Sequence, residues 1–399
     1  MTNATTSAER IEILDGLRGL ALFGILLANI LIFSGWVFMT DEQRLALAGS
    51  EAVAWQYRFH HLLIDGKFYT IFSMLFGAGF ALQIARLAAR GADGLCIYRR
   101  RVLILLGMGL IHSLFWDGDI LTLYALLGLF LPFFSELRER TLLLLAGALI
   151  FIVPPLGIWL ISLIGWGPHE PLFKLSYAIA HVMGADTSPD QAIAWAASPD
   201  LQSWSSWTWS GIPASWGLRL ESWRIPKILG IMLVGMVVGR RLASGTVLDD
   251  RRLLKTVLGF GLAVGLPLTI VYAAVPGLGQ SDWPSLFGTV PLALAYAAGF
   301  VLIWRSAHPV LRHLVPVGRM ALTNYILHSI IGTLLFFGIG FGLTGTLPPL
   351  AIYAVAVAIF TAQIVFSRWW LSGHEQGPLE RLWRTLTYAG VPPSKTASA

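Results

Sequence analysis

Scanning the chain for apolar runs bounded by charge, proline or glycine gives ten stretches: 14–37, 68–88, 102–116, 119–134, 141–165, 225–241, 254–275, 285–304, 319–341 and 349–371. Each is long enough, alone or with its flanks, to form a helix across a bilayer. The pattern predicts an all-α, polytopic transmembrane helix bundle of about ten spans. Spans three and four are short and joined by a polar turn at 117–119, so they read as a helical hairpin. Two connecting segments are longer than the rest, an outer loop at 38–67 and another at 166–224. They divide the chain into an N-terminal half (1–165, five spans), an extracytoplasmic loop (166–224), a C-terminal half (225–390, five spans) and a disordered tail at 391–399.

Charge supplies the orientation. All but seven of the 28 Lys and Arg residues fall before the first span or after an even-numbered one; the exceptions are Arg44, Arg58, Lys67, Lys174, Arg219, Arg224 and Lys227. Basic residues favour the cytoplasmic side of short loops, so both termini are expected there. Composition agrees with the membrane reading: 56% hydrophobic and 13% charged residues, with a mean hydropathy of +0.69, exclude an ordinary soluble enzyme. The net charge of +6 follows from the loop asymmetry and is no argument for nucleic acid. The first apolar run lacks a short basic leader and a small-residue cleavage site, so it reads as a retained span. Cys96 has no second cysteine to pair with.

The 166–224 loop crowds Trp195, Trp204, Trp207, Trp209, Trp216 and Trp223 among Ser, Pro and Gly. Such rings suit a headgroup-level belt or a lid over a sugar or lipid acceptor. Gly235/Gly239 and Gly261/Gly265 have the spacing of closely packed helices. No internal repeat is visible.

Polar side chains inside hydrocarbon cost free energy unless they pair or face a cavity, so they point to candidate sites. Four groups stand out. In LDGLRGLALFGILLANI, Asp15 and Arg18 lie three apart at the cytoplasmic edge, and Asn29 lies about 16 Å deeper. In WQYRFHHLLIDGK, Tyr57, His61 and Asp65 follow at four-residue steps, so Asp65 is placed to orient the His61 imidazole as a base; His60 is its neighbour. The histidine pair lacks partners at metal-ligand spacing, and no metal site is predicted. In GLIHSLFWDGDILTLYALLG, His112 and Asp119 flank the hairpin turn, where Asp119 is also a natural helix cap. In GRMALTNYILHSIIG, Asn324 and His328 are one turn apart within a span. Interhelical hydrogen bonding is the plain alternative for each group.

These strings, with FYTIFSMLFGAGF and the closing GPLERLWRTLTYAG, resemble the YeiB family of bacterial membrane proteins, from about residue 11 to 135 and from 225 to 390. The resemblance implies a multi-pass inner-membrane protein whose C-terminal half is a domain of unknown function. The family is in turn distantly similar to transmembrane acyltransferases. Those that modify surface sugars share an LDGLRG-like opening followed, eleven positions after the arginine, by a histidine; here that position is Asn29. The catalytic base must then come from elsewhere, with His60 or His61 the nearest substitute. His328 stands where the family pattern leads one to expect glutamine.

The reading that results is transfer of an acyl group from cytoplasmic acyl-CoA to an envelope glycan, lipid or small-molecule acceptor. Arg18 and the Arg99, Arg100, Arg101 cluster, or Arg240 with Arg241, would attract the CoA phosphates. His61, His60 and Asp65 would do the proton chemistry, Asn29 or Asn324 would stabilise an oxyanion, and His112, Asp119 and His328 would contact substrate. The lipid bilayer is the expected surroundings, and a homo-oligomer is compatible with the sequence. The alternatives are a transporter or exporter of a small metabolite or lipid, and a noncatalytic partner in an envelope complex that uses the Trp-rich loop.

Overall fold

The structure, a computed structural model, describes residues 6–89, 94–245 and 247–389. Arg90, Lys395 and the tail at 391–399 lie outside the described residues. Within them the fold is helical throughout, as expected where a chain in hydrocarbon must satisfy its backbone groups internally. The first half contains α1 (Ser7–Phe33), α2 (Asp41–Phe59), α3 (Lys67–Ala88), α4 (Gly94–Ser113), α5 (Leu121–Gly128), α6 (Glu139–Gly147) and α7 (Val153–Ile164). The Trp-rich segment forms α8 (Glu170–Val182), α9 (Ala192–Ala197) and α10 (Leu201–Glu221). The second half contains α11 (Arg224–Ala243), α12 (Arg251–Phe260), α13 (Leu266–Ala274), α14 (Trp283–Leu311), α15 (Val315–Arg319), α16 (Ala321–Phe336), α17 (Pro349–Gly373) and α18 (Pro378–Tyr388).

Among the described residues six helical stretches are long and apolar enough to cross a membrane: Glu9–Phe33, Asp41–Ala88, Glu139–Ile164, Arg251–Ala274, Trp283–Arg319 and Pro349–Gly373. The other four expected stretches differ for visible reasons. Helix α4 carries Arg99, Arg100 and Arg101 within its first half, and α11 carries basic residues at both ends. Helix α5 is only 8 residues long and α16 only 16. Three stretches contain a π-helical turn, at His60–Ile64, Ala148–Ile152 and Gly261–Gly265; the last two immediately precede Pro154 and Pro267, which lack the N–H that would continue the ladder.

At the centre α3 packs on α11 with almost no side chain between them. A Cβ on Gly235 would lie 2.1 Å from the Met74 carbonyl oxygen, and one on Gly239 would lie 2.5 Å from that of Ala78. The contacts advance together along both helices, so α3 and α11 run in the same direction and start at the same end of the bundle. Around this pair, α1 packs against α3, α15, α16 and α17, and α12 to α14 cover another flank. The Trp-rich helices lie against the bundle: Trp207 is buried between Phe38, Trp195 and Phe337, while Trp209 is 46% exposed.

Candidate active site

One end of the bundle gathers the start of α1, the end of α3, the start of α4 and the whole of α18 around a cleft of about 1180 Å³. Arg18, Arg86, Arg101, Arg381 and Arg384 line it, against Glu375 and Glu380. Glu380 is already committed, accepting from the Leu322 and Thr323 amides and the Thr323 hydroxyl, which clamps α18 onto the first turn of α16. Arg101 is held over the Trp383 ring, 4.2 Å from its centroid, and donates to Gln83 at 3.2 Å. Arg18 pairs with Asp15 and still faces the cleft. The surplus of fixed guanidinium groups makes this an anion-attracting mouth.

The cleft narrows into a slot of about 250 Å³ through Arg18, Gly79, Gln83, Arg101 and Trp383, which line both spaces. The slot is mostly apolar, with walls such as Phe72, Phe76 and Leu105, and it reaches Leu121, Tyr124 and Tyr325 in the bundle interior. Its depth follows from α4. Arg101 and His112 are eleven residues apart on that helix, about 16 Å of rise, and about 20° out of register, so both project from one face.

At the inner end stands a chain of three buried side chains. His112 Nδ1 is 2.7 Å from Asp119 Oδ1, and His112 Nε2 is 3.0 Å from Ser329 Oγ. Asp119 is fixed from the other side, accepting from the Leu121 amide at 3.1 Å and the Thr122 amide at 2.8 Å, so it caps α5 while holding the imidazole. With the carboxylate as acceptor, Nδ1 carries the proton, Nε2 is left basic, and the Ser329 hydroxyl donates to it. This is the connectivity of a serine–histidine–aspartate relay. Tyr325 separates it from the slot: its ring centroid is 5.4 Å from that of His112, and Ser329 lies one turn beyond Tyr325 on α16.

At the other end of the bundle lie His60, His61 and Asp65. Asp65 does not orient His61. The π turn at His60–Ile64 ends the helix, and Gly66, at φ +78°, turns the chain into α3. Asp65 is thereby swung toward α13, where it accepts from Tyr272 Oη at 2.6 Å and from Gln280 Nε2 at 2.5 Å. His61 instead holds its Nδ1 2.8 Å from the Tyr57 carbonyl oxygen, with its ring between Tyr57 and Tyr272. His60 Nδ1 is 3.3 Å from Tyr353 Oη.

Comparison with known proteins places this chain in a family. Uncharacterized protein YeiB of Escherichia coli (strain K12) is 30% identical over 427 residues, covering 98% of this chain and 100% of its own. The chain belongs to the YeiB family. Uncharacterized protein YxaH of Bacillus subtilis (strain 168) is 30% identical over 98% of this chain and 97% of its own. An uncharacterized 39.9 kDa protein from the amylase 3′ region of Bacillus acidopullulyticus is 32% identical over 95% and 94%. The family described as "Protein of unknown function (DUF418)" matches residues 238–390. No solved structure matches.

The remaining candidates of this YeiB-family chain are scattered or already engaged. Three consecutive arginines on a helix point about 100° apart, and only Arg101 enters the cleft; Arg99 and Arg100 line a separate surface with Leu95 and Leu103. Arg240 donates to the Ser135 and Leu137 carbonyl oxygens, and Arg241 pairs with Glu139. Asn324 donates to Val317 O and Ser367 Oγ, while His328 Nε2 is 2.8 Å from Gln363 Oε1, an interhelical clamp between α16 and α17. Asn29 is half-buried with no side-chain hydrogen bond among the described residues. It lies one turn from Phe33, whose ring stacks on Trp116 beside His112.

Sequence reasoning missed Ser329. Its neighbour His328 drew attention because histidine is rare within a span, whereas serine is common there as a packing residue. The slot-lining Tyr325 was hidden in the same motif.

Proposed function

We propose that this YeiB-family protein is a transmembrane acyltransferase that passes an acyl group from acyl-CoA through Ser329 to an acceptor at the far end of the bundle. The observation that carries the reading is the Ser329–His112–Asp119 relay behind a slot that opens into an arginine-lined cleft. In this reading the arginine cleft is cytoplasmic, the chain crosses the plasma membrane about ten times, and both termini lie in the cytoplasm. The concentration of basic residues at that end supports the orientation.

The chemistry follows from the proton positions. The cleft arginines bind the CoA phosphates, and the thioester follows the slot past Tyr325. Ser329 Oγ attacks the thioester carbon as His112 Nε2 takes its proton. The C–S bond breaks, His112 returns that proton to the CoA thiolate, and an acyl-Ser329 ester remains. An acceptor hydroxyl or amine then attacks the ester with His112 again as base, and the serine is regenerated. Asn29 is separated from the relay by Phe33 and Trp116, so in this reading it serves the acceptor side rather than the oxyanion. An envelope glycan, a lipid or a small molecule fits the far-end position of the acceptor.

The test is a single turnover of the purified protein with labelled short- and long-chain acyl-CoA, followed by intact mass measurement. An acyl adduct on Ser329 that disappears in Ser329→Ala, with CoA released in equal amount, is expected. Absence of any adduct in the wild type, together with no CoA release, overturns the reading. Solute flux through vesicles without chemical change would establish transport instead.

A further inference from the structure

The basic residues that broke the charge asymmetry of the sequence are not spread over the outer loops. Four of the seven, Lys67, Arg219, Arg224 and Lys227, converge inside the bundle at the end opposite the arginine cleft. Lys67 opens α3 and Lys227 lies in the first turn of α11. Because those two helices start together and run in the same direction, the two lysines enter the bundle at one level, and Asp65 acts electrostatically on both. Arg224 opens α11 one turn before Lys227, with its guanidinium 5.4 Å from the centroid of Tyr69 on α3. Arg219, near the end of α10, reaches in to donate to the Asp119 carbonyl oxygen and lies within electrostatic range of Arg224.

These cations are deep and incompletely satisfied. Lys67 is 0% exposed, Lys227 4% and Arg219 5%. Lys67 donates to the His61 carbonyl oxygen, and Arg224 Nη2 to Gln280 Oε1 at 2.7 Å, but Arg224 Nε is buried without a partner among the described residues. The Lys227 ammonium makes no hydrogen bond to any described residue, although Asp65 and Arg224 both act on it electrostatically. None of the four forms an ion pair with a described carboxylate. Three acids act on them electrostatically without pairing, Asp65 on Lys67 and Lys227, and Asp119 and Asp117 on Arg219. Asp65 is hydrogen-bonded by Tyr272 and Gln280, and Asp119 by His112 and the α5 amides, so the four cations outnumber the acids and keep open donors. Ammonium and guanidinium groups taken out of water hold their charge only against a compensating anion, and their open donors call for one with several oxygens.

We propose that Lys67, Arg219, Arg224 and Lys227 form a binding site for a phosphate-class oxyanion, on the far side of the relay from the arginine cleft. The planar guanidinium groups supply directed donors and the ammonium groups supply point charge. The Asp119 carbonyl oxygen that holds Arg219 belongs to the residue that orients His112, so a group bound here lies next to the relay. As the anchor of the acyl acceptor this site rests on the acyltransferase reading; as an oxyanion site it does not.

The experiment reads binding without acyl-CoA. The full-length protein in detergent is titrated with inorganic phosphate, inorganic diphosphate and short-chain phosphatidic acid, with phosphatidylcholine of the same chain length as control, and Tm is followed. The wild type is expected to gain Tm with at least one phosphate probe and not with phosphatidylcholine. Lys227→Met and Arg224→Gln should each raise the half-saturating concentration tenfold or more; Lys227→Arg should bind within threefold of wild type, and Arg44→Gln, an outer arginine outside the cluster, should bind as wild type. Response to the inorganic probes alone marks a free oxyanion, and response to phosphatidic acid alone a lipid headgroup; either supports the site. No Tm gain with any phosphate probe, or unchanged binding in both Lys227→Met and Arg224→Gln, overturns it. Loss of acyl transfer with oxyanion binding intact would sink the enzyme reading and leave this site standing.

Discussion

Replacing Asp119 by asparagine separates its structural role from its chemical one. Asp119 accepts three bonds, from His112 Nδ1, Leu121 N and Thr122 N. The Thr122 amide bonds Oδ2, whereas the Leu121 amide shares Oδ1 with His112, so asparagine with its amide oxygen in the Oδ2 place keeps the cap bond to Thr122 and loses the one to Leu121, a destabilisation of about 1–2 kcal/mol. The amide nitrogen must then face His112. An NH₂ group can only donate to Nδ1, which moves the imidazole proton to Nε2 and points it at Ser329. The base becomes a donor, and Ser329 keeps its proton. Loss of the correct tautomer in such a relay costs about 10⁴ in rate, or about 5 kcal/mol at 1.36 kcal/mol per decade. The assay is the rate of acyl-Ser329 formation in a single turnover with labelled acyl-CoA, with Tm measured alongside. Asp119→Asn within tenfold of the wild-type rate, at comparable Tm, would refute the assignment of His112 as the base.

Other outcomes follow from the same geometry. Arg101→Ala should raise KM for acyl-CoA about tenfold, on the scale of a lost charge-assisted contact, whereas Arg100→Ala, facing another surface, should leave it unchanged in steady-state kinetics. Gly79→Leu should fold, because a Cβ there meets nothing within 4 Å, yet fill the neck of the slot and abolish CoA release while Tm stays near wild type. Gly77→Ala one turn-half away should instead lower Tm, because its Cβ would sit 2.0 Å from the Met232 carbonyl oxygen, an overpacking cost of about 1–3 kcal/mol. His328→Gln should retain turnover within about threefold, since glutamine can still bridge to Gln363 across α16 and α17. A much larger loss in the same assay would move His328 from the scaffold into the chemistry.

The sequence reveals the fold class more readily than the site, for physical reasons. Apolar runs report helices because burial and backbone satisfaction are local properties of a segment, and the glycine pairs at 235/239 and 261/265 do mark close helix contacts. Periodicity failed where the helix itself changes. The His61–Asp65 step holds only for an α-helix, whereas the helix ends in a π turn at His60–Ile64, and three arginines that form one patch in sequence are fanned apart by helix geometry. His112 and Asp119 could be singled out but not joined, because they face each other across a non-helical turn. Ser329 is 217 positions from His112, and no local pattern links them. The interior cations were visible as exceptions to the loop-charge rule; that rule counts charges by side and is silent on depth.

The most direct measurement is a cryo-EM structure of the full-length protein with a non-hydrolysable thioether analogue of acyl-CoA. The account predicts the nucleotide phosphates among Arg18, Arg101, Arg381 and Arg384, the arm threading past Gly79 and Tyr325, and the carbon that replaces the thioester carbonyl within reach of Ser329 Oγ. An analogue bound at the His61 end of the bundle, or none bound at saturating concentration, would contradict it.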